Sequence, residues 1–155
     1  MFCGFDVMGC CMKNLKMIIR LIIAFTWEAP QTIIALFIIL GLMIGGKLEG
    51  IAFYEQCFSF RIFQNYKYFG IGLSCFFTFH INDDLENHWH FNSVLKHEHG
   101  HTIQSFILGW LFIPLVAIPS VTFNILTRLN LVKYENYYKR IWERTASILG
   151  GSDLK

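Results

Sequence analysis

The stretch FNSVLKHEHGHTIQS, residues 91–105, constrains the fold of this chain more than any other segment. It reads as a helix, and it continues directly into the apolar segment 106–126, which contains Pro114 and Pro119. Each proline removes a helical hydrogen bond, so we expect the apolar segment to be a kinked span or a re-entrant pair of half-helices. A helix that carries three histidines therefore leads into an apolar segment that is broken by prolines, the second long apolar segment of the chain after residues 31–46.

The segments upstream predict one further long helix and a small amount of β-structure. Residues 31–46 are uncharged and apolar, follow Pro30 and end at Gly45-Gly46, which is typical of a membrane-crossing helix. Short aromatic and β-branched runs at 66–69 and 73–79 predict a β-hairpin before the histidine helix. Residues 82–87 are a polar turn, and we expect a last helix to stop at Gly150-Gly151.

Composition favours a membrane protein of a single domain. The 155 residues are 54% hydrophobic and 15% charged, which leaves little polar surface for a soluble globule. We therefore predict a mainly α, helical integral membrane protein, one membrane-embedded domain over residues 1–155, with the lipid bilayer as its partner and residues 1–11 dispensable. The net charge of +2 gives no basis for nucleic-acid binding. The odd number of cysteines and the lack of a C-x-x-C pair indicate free thiols.

The sequence His97-Glu98-His99-Gly100-His101 matches the zinc motif H-E-x-x-H. On a helix, the first and last histidines lie one turn apart on the same face, from which both rings can bind one zinc ion. Glu98 lies beside that face and is placed to accept a proton from an activated water, as in a metallopeptidase. His99 points away from the ligand face of a helix, whereas in a strand it would share that face.

The C-terminal stretch WERTASILGG, residues 142–151, resembles the downstream helix of gluzincin-type metallopeptidases, E-x-x-A-D-x-x-G. The chain from Trp27 onward is more closely similar to a family of small, largely uncharacterised bacterial membrane proteins with an H-E-x-G-H-x-x-Q-S motif. This resemblance implies a bacterial cytoplasmic membrane location, Glu143 as the third zinc ligand, and weaker supporting roles for Gln104 and Ser147. Ser147 departs from the pattern, which has an aspartate that would orient a zinc-binding histidine.

The sequence leaves the third ligand and the activity open. If segment 106–126 crosses a membrane, Glu143 cannot reach the histidines, and the ligand would come from the polar residues before the helix. Those candidates are Asp83, Asp84, Glu86, His88 and His90. The favoured function is a zinc-dependent hydrolase, a metallopeptidase acting on a peptide or protein. The alternative is a non-catalytic metal-binding membrane protein that works by binding a partner.

Overall fold

The computed structural model describes residues 7–54, 57–62, 70–81, 88–133 and 139–152. Within these ranges the chain forms five α-helices and one four-stranded sheet. The helices are α1 (Val7–Phe25), α2 (Ala29–Ile44), α3 (His88–Leu108), α4 (Ile118–Arg128) and α5 (Ile141–Gly150). The strands are β1 (Leu48–Tyr54), β2 (Cys57–Ile62), β3 (Gly70–Ser74) and β4 (Phe77–Ile81).

The helix predicted at residues 31–46 corresponds to α2. Pro30 lies in its first turn, where the missing N–H has no helical acceptor to lose. Gly45 caps its C-terminal end, and Gly46 follows in the left-handed region with φ 62°. These residues therefore end the helix within two residues of the predicted position.

The sheet is mixed, with the strand order β1-β2-β4-β3. The first two strands form an antiparallel pair, β4 runs parallel to β2, and β3 pairs antiparallel with β4 at the edge of the sheet. Helix α2 covers one face of the sheet, where buried Ala35 packs against Phe60, Ile62 and Phe79. The edge strand β3 lies against α3, the helix that carries the histidine motif.

The apolar segment after α3 is divided into three short helical pieces. Gly109 adopts φ 56°, and the indole ring of Trp27 occupies the space that a Cβ would need there. A 3-10 turn over Gly109–Leu111 and a π-helical turn over Ile113–Ala117, which contains Pro114, precede α4. The segment is therefore interrupted at Gly109 and not, as predicted, at the prolines, because Pro114 and Pro119 both lie within the apolar helical stretch Ile113–Arg128.

The prediction of a mainly α, helical integral membrane protein was wrong. The described residues include a four-stranded mixed sheet, whereas only one hairpin, between strands at 66–69 and 73–79, was expected. The predicted strand 73–79 is divided by a turn at Cys75 and Phe76, which joins β3 to β4. No single described helix is long and apolar enough to cross a membrane, and the stretches Leu15–Phe25 and Ala29–Ile44 pass that test only together, across a 95° bend. The 16 residues of α2 extend about 24 Å, less than the roughly 30 Å of a hydrocarbon core.

Other predictions fall partly or wholly on residues that the structure does not describe. The first strand of the expected hairpin, residues 66–69, and the polar turn at 82–87 lie outside the described ranges. Of the N-terminal eleven residues, those from Val7 onward belong to α1. The last helix stops at Gly150, as predicted, and Gly151 follows it in the left-handed conformation with φ 67°.

Candidate metal centre

Two buried histidines project from one face of α3. His97 and His101 are one helical turn apart, and their ring centroids are separated by 4.9 Å with the ring planes at 85°. Their four-residue spacing gives the rings a common direction. Buried ring nitrogens need hydrogen-bond or metal partners. The atoms next to the four ring nitrogens therefore indicate whether the two histidines can bind a metal ion.

Helix α5 brings a carboxylate to the two rings. The Oε2 atom of Glu143 lies 2.9 Å from Nε2 of His97 and 3.3 Å from Nε2 of His101. All three side chains are buried, and their ligand atoms lie within 4.8 Å of one another. Atoms bound to one tetrahedral zinc ion are about 3.4 Å apart. The three side chains could therefore hold a metal ion.

The second carboxylate oxygen of Glu143 supports the same interpretation. Glu143 is fully buried, and its Oε1 atom has no hydrogen-bond partner among the described residues. A buried carboxylate oxygen without a donor is costly, because it loses water and gains nothing in return. A cation between Glu143 and the two rings would compensate for that cost.

The close approach of α5 to α3 depends on two glycines. A Cβ at Gly100 would overlap the carbonyl oxygen of Ala146, and a Cβ at Gly150 would overlap the carbonyl oxygen of Lys96. Any larger residue at either position would push the helix backbones apart. The glycine inside the histidine motif is therefore what allows Glu143 to reach the histidines.

The tautomer of His101 follows from its contact with Gln104. The Nε2 atom of Gln104 donates to the carbonyl oxygen of Trp142 at 2.8 Å and to Oγ1 of Thr145 at 2.6 Å, which leaves its Oε1 atom as an acceptor. Nδ1 of His101 lies 2.8 Å from that oxygen and donates to it. The lone pair of a neutral His101 ring is then on Nε2, facing Glu143, where it needs a proton or a metal ion.

His97 has a comparable contact on its other nitrogen. Its Nδ1 atom lies 2.9 Å from Oγ of Ser147, one turn after Glu143 on α5. A hydroxyl can accept the ring proton and so leave Nε2 to bind a metal, but it is uncharged. The serine therefore occupies the supporting place that the resemblance assigns to an aspartate.

The electrostatics of the cluster favour a charged carboxylate. Burial opposes ionisation of Glu143, but hydrogen bonds from His101 and His97 outweigh it and lower the pKa of the carboxyl group. Burial also opposes a charged His101, yet the hydrogen bond to Glu143 and the negative charge of Glu98 raise the pKa of the imidazole. The site thus attracts positive charge, either a proton or a metal ion.

Glu98 lies beside the cluster rather than in it. Its carboxylate packs against the edge strand, where a Cβ at Gly70 would overlap it. Burial, the largest effect, raises the pKa of this carboxyl group. Glu98 and His101 both line a cavity of about 370 Å³ between α2, β3 and α4. A raised pKa in a cavity suits a group that exchanges a proton.

The remaining predicted ligands do not join the cluster in the described part of the chain. Nδ1 of His99 lies 3.7 Å from Sγ of Cys57 and 3.4 Å from Oγ1 of Thr102, away from Glu143. This placement agrees with the helical interpretation of the motif. Asp83, Asp84 and Glu86 lie outside the described residues, as do the side chains of His88 and His90.

Sequence reasoning gave no role to Ser120 or Glu28. Ser120, on α4, contributes to the lowered pKa of Glu143. Buried Glu28 accepts hydrogen bonds from Ser105 of α3 and from the backbone of Cys75. In the sequence Ser120 follows Pro119 directly, and Glu28 stands two residues before Pro30. Their positions near prolines that begin helices indicate only that they lie at helix ends. Their contacts are with residues distant in the sequence, which the sequence alone does not reveal.

No family model, curated protein or solved structure matches this chain. The resemblance to gluzincin-type peptidases and to a bacterial membrane protein family therefore remains a prediction. A functional assignment for this chain depends on the geometry of the described residues alone.

Proposed function

We propose that the protein is a zinc-dependent hydrolase, a metallopeptidase in which His97, His101 and Glu143 hold the metal ion. The observation that carries the proposal is the convergence of these three ligand atoms beside a cavity that Glu98 also lines. Two imidazoles and one carboxylate form a donor set typical of catalytic zinc sites, which keep a fourth position open. A structural site would be expected to be closed by a fourth protein ligand.

Zinc bound there would polarise a carbonyl oxygen and lower the pKa of a water molecule at the open position. The residues of the chain supply the rest of the chemistry. Glu98 accepts the proton of the attacking water, because it lines the same cavity as His101. As the water oxygen bonds to the carbonyl carbon and the C–N bond breaks, Glu98 delivers that proton to the leaving nitrogen.

The supporting hydrogen bonds hold the two rings in position for this chemistry. Gln104 fixes the ring of His101, and its own orientation is set by Trp142 and Thr145 of α5. Ser147 fixes the ring of His97 from the same helix. Contacts of this kind set the tautomer and the direction of metal-binding histidines.

The test compares zinc content and activity in the wild type and in Glu98→Gln. Both proteins are expected to bind about one zinc ion per chain, because Glu98 is not a ligand, while the variant loses activity on internally quenched peptides by at least about 100-fold. His97→Ala is the matched variant that should lose both zinc and activity.

Two results would contradict the proposal. Full zinc content in His97→Ala would show that the metal binds elsewhere. Equal activity of the wild type and Glu98→Gln would remove the proposed base. Zinc binding without hydrolysis of any peptide in a broad quenched-peptide mixture would instead favour the alternative, a metal-binding protein without catalysis.

A further inference from the structure

The cavity beside the metal centre has a polar row along one helix. Ser120, Asn124 and Arg128 line it from α4 at four-residue intervals, which places them on one helix face. The rest of its lining is mostly aliphatic and includes Ile34, Ile38, Ile71, Leu73, Val121 and Ile125. The cavity is therefore an apolar channel that carries polar groups along one side.

The two ends of this row have opposite chemistry. At one end Ser120 lines the cavity together with His101 and contributes to the lowered pKa of Glu143, so that end adjoins the metal centre. At the other end is Arg128, whose Nε atom donates to Oδ1 of Asn124 at 2.8 Å. Among the described residues that line the cavity, Arg128 is the only lysine or arginine. A bound molecule would thus meet a cation at the end farthest from the metal.

The distance between Ser120 and Arg128 limits the length of a molecule that can reach from the metal centre to the guanidinium group. Ser120 and Arg128 are eight residues apart on α4, which corresponds to about 12 Å along the helix axis. Helical side chains lean toward the N-terminus, and the bond to Asn124 holds the guanidinium group in that direction, which shortens the span to between about 6 and 12 Å. An extended peptide covers this span with about two to three residues.

We propose that Arg128 binds the C-terminal carboxylate of a peptide substrate whose scissile bond lies two or three residues from that terminus. This inference rests on the proposed function and names its substrate class: peptides that end in apolar residues with a free carboxylate. The apolar residues after the scissile bond fill the aliphatic channel, where their burial is favourable. Guanidinium groups bind carboxylates through paired, charge-assisted hydrogen bonds, which gives the channel a defined end.

The test uses two internally quenched hexapeptides of identical sequence, with leucine and phenylalanine at the C-terminal end. One has a free C-terminal carboxylate and the other a C-terminal amide. Zinc-loaded wild-type protein is expected to cleave the acid with a kcat/KM at least about tenfold above that of the amide. Arg128→Gln should bring the acid-to-amide ratio close to one. Arg144→Gln, which removes an exposed arginine of α5 outside the cavity, should keep the wild-type ratio.

A binding measurement makes the test independent of catalysis. The same peptides, labelled with a fluorophore at the N-terminus, are titrated with zinc-loaded Glu98→Gln by fluorescence anisotropy, with and without Arg128→Gln. We expect about tenfold tighter binding of the acid, and loss of that preference in the double variant. The ratio of acid binding to amide binding is measured within one protein preparation. Partial unfolding of a variant lowers both affinities alike and so does not by itself abolish the preference for the acid.

Each outcome distinguishes this inference from the proposed function. Equal binding of acid and amide would overturn the role of Arg128, even if both peptides are cleaved. Acid-selective binding that depends on Arg128, without cleavage by the wild type, would support the role of Arg128 while the peptidase proposal fails. Decanoate serves as a competitor, and displacement of the acid peptide at concentrations below the peptide's own dissociation constant would replace the peptide by a fatty acid and overturn the assignment.

Discussion

Two fully buried carboxylates, Glu28 and Glu143, have opposite hydrogen-bonding environments. Oε2 of Glu28 accepts a hydrogen bond from the backbone N–H of Cys75 at 3.1 Å, and its Oε1 accepts one from the hydroxyl of Ser105 at 2.6 Å. Only Oε2 of Glu143 faces the rings of His97 and His101, and its Oε1 has no hydrogen-bond partner among the described residues. Protein donors therefore satisfy both oxygens of one carboxylate and only one oxygen of the other.

This difference separates a structural carboxylate from a candidate ligand. Glu28 joins the corner between α1 and α2 to the turn between β3 and β4 and to α3, and each oxygen is already used. Glu143 has one oxygen next to two ring nitrogens and a second oxygen without a donor, and a cation bound by this carboxylate would complete the arrangement. Burial alone thus does not identify a functional carboxylate, whereas an incomplete set of donors does.

The largest expected effect comes from exchanging each carboxylate for an amide. Glu143→Gln should weaken zinc binding by at least about 100-fold, because an uncharged amide is a poor replacement for a carboxylate ligand. Glu28→Gln should leave zinc affinity within about threefold of the wild type, since it lies outside the ligand set. Competition with a chromophoric chelator measures both. A similar loss in the two variants would remove the distinction between them.

Two of the three candidate ligands could be predicted from the sequence because their spacing is local, and the third was implied by the resemblance. His97 and His101 share a face by helical geometry alone, and Glu143 was implied by a motif that stands on one helix. The resemblance also implied weaker supporting roles for Gln104 and Ser147, and the structure places both side chains in contact with the histidine rings.

The sheet and the Glu28 cluster could not be predicted, because both depend on contacts between distant segments. The parallel pairing of β2 with β4 has no signal in either strand, and β1 was not recognised as a strand at all. Composition was misleading as well. The apolar residues that suggested membrane spans are divided between a bent pair of helices, the strands and the broken segment after α3.

Substitution of Gly100, where α3 contacts α5, should have the next largest effect on stability and zinc affinity. It should disturb the site of Glu143 and leave that of Glu28 unchanged. In Gly100→Ala the new methyl group meets the carbonyl of Ala146, so α5 must move away, which costs about 1–3 kcal/mol of unfolding free energy. Glu143 moves with α5, and zinc affinity should fall as well. Urea unfolding of the metal-free protein and chelator competition measure the two effects.

Gly41→Ala is the matched control for that substitution. Gly41 lies inside α2, and a Cβ there meets no atom within 4 Å. Because alanine is the better helix former, this variant should unfold at the same or a higher urea concentration, with a gain of up to about 1 kcal/mol. If both glycine variants lose the same stability, the close approach of α3 and α5 is not the cause.

Glu28→Gln should have a moderate effect on folding and none on the metal. The amide retains one acceptor oxygen but places an NH₂ group against a donor, either the N–H of Cys75 or the hydroxyl of Ser105. We expect a loss of about 1–3 kcal/mol in the metal-free protein, measured by urea unfolding. A loss that appears only with zinc bound would instead couple this cluster to the metal centre.

The smallest expected effect comes from Ser147, and it adjusts the metal centre without changing its ligands. Ser147→Asp should tighten zinc binding by about tenfold, because a carboxylate accepts the Nδ1 proton of His97 more strongly than a hydroxyl does and makes the ring a better ligand. Ile148→Asp adds the same charge at the adjacent, exposed position of α5 and serves as the control for general electrostatic attraction. Competition with a chromophoric chelator at constant ionic strength compares the two variants. Equal tightening in both would mean that net charge, not the contact with His97, sets the affinity.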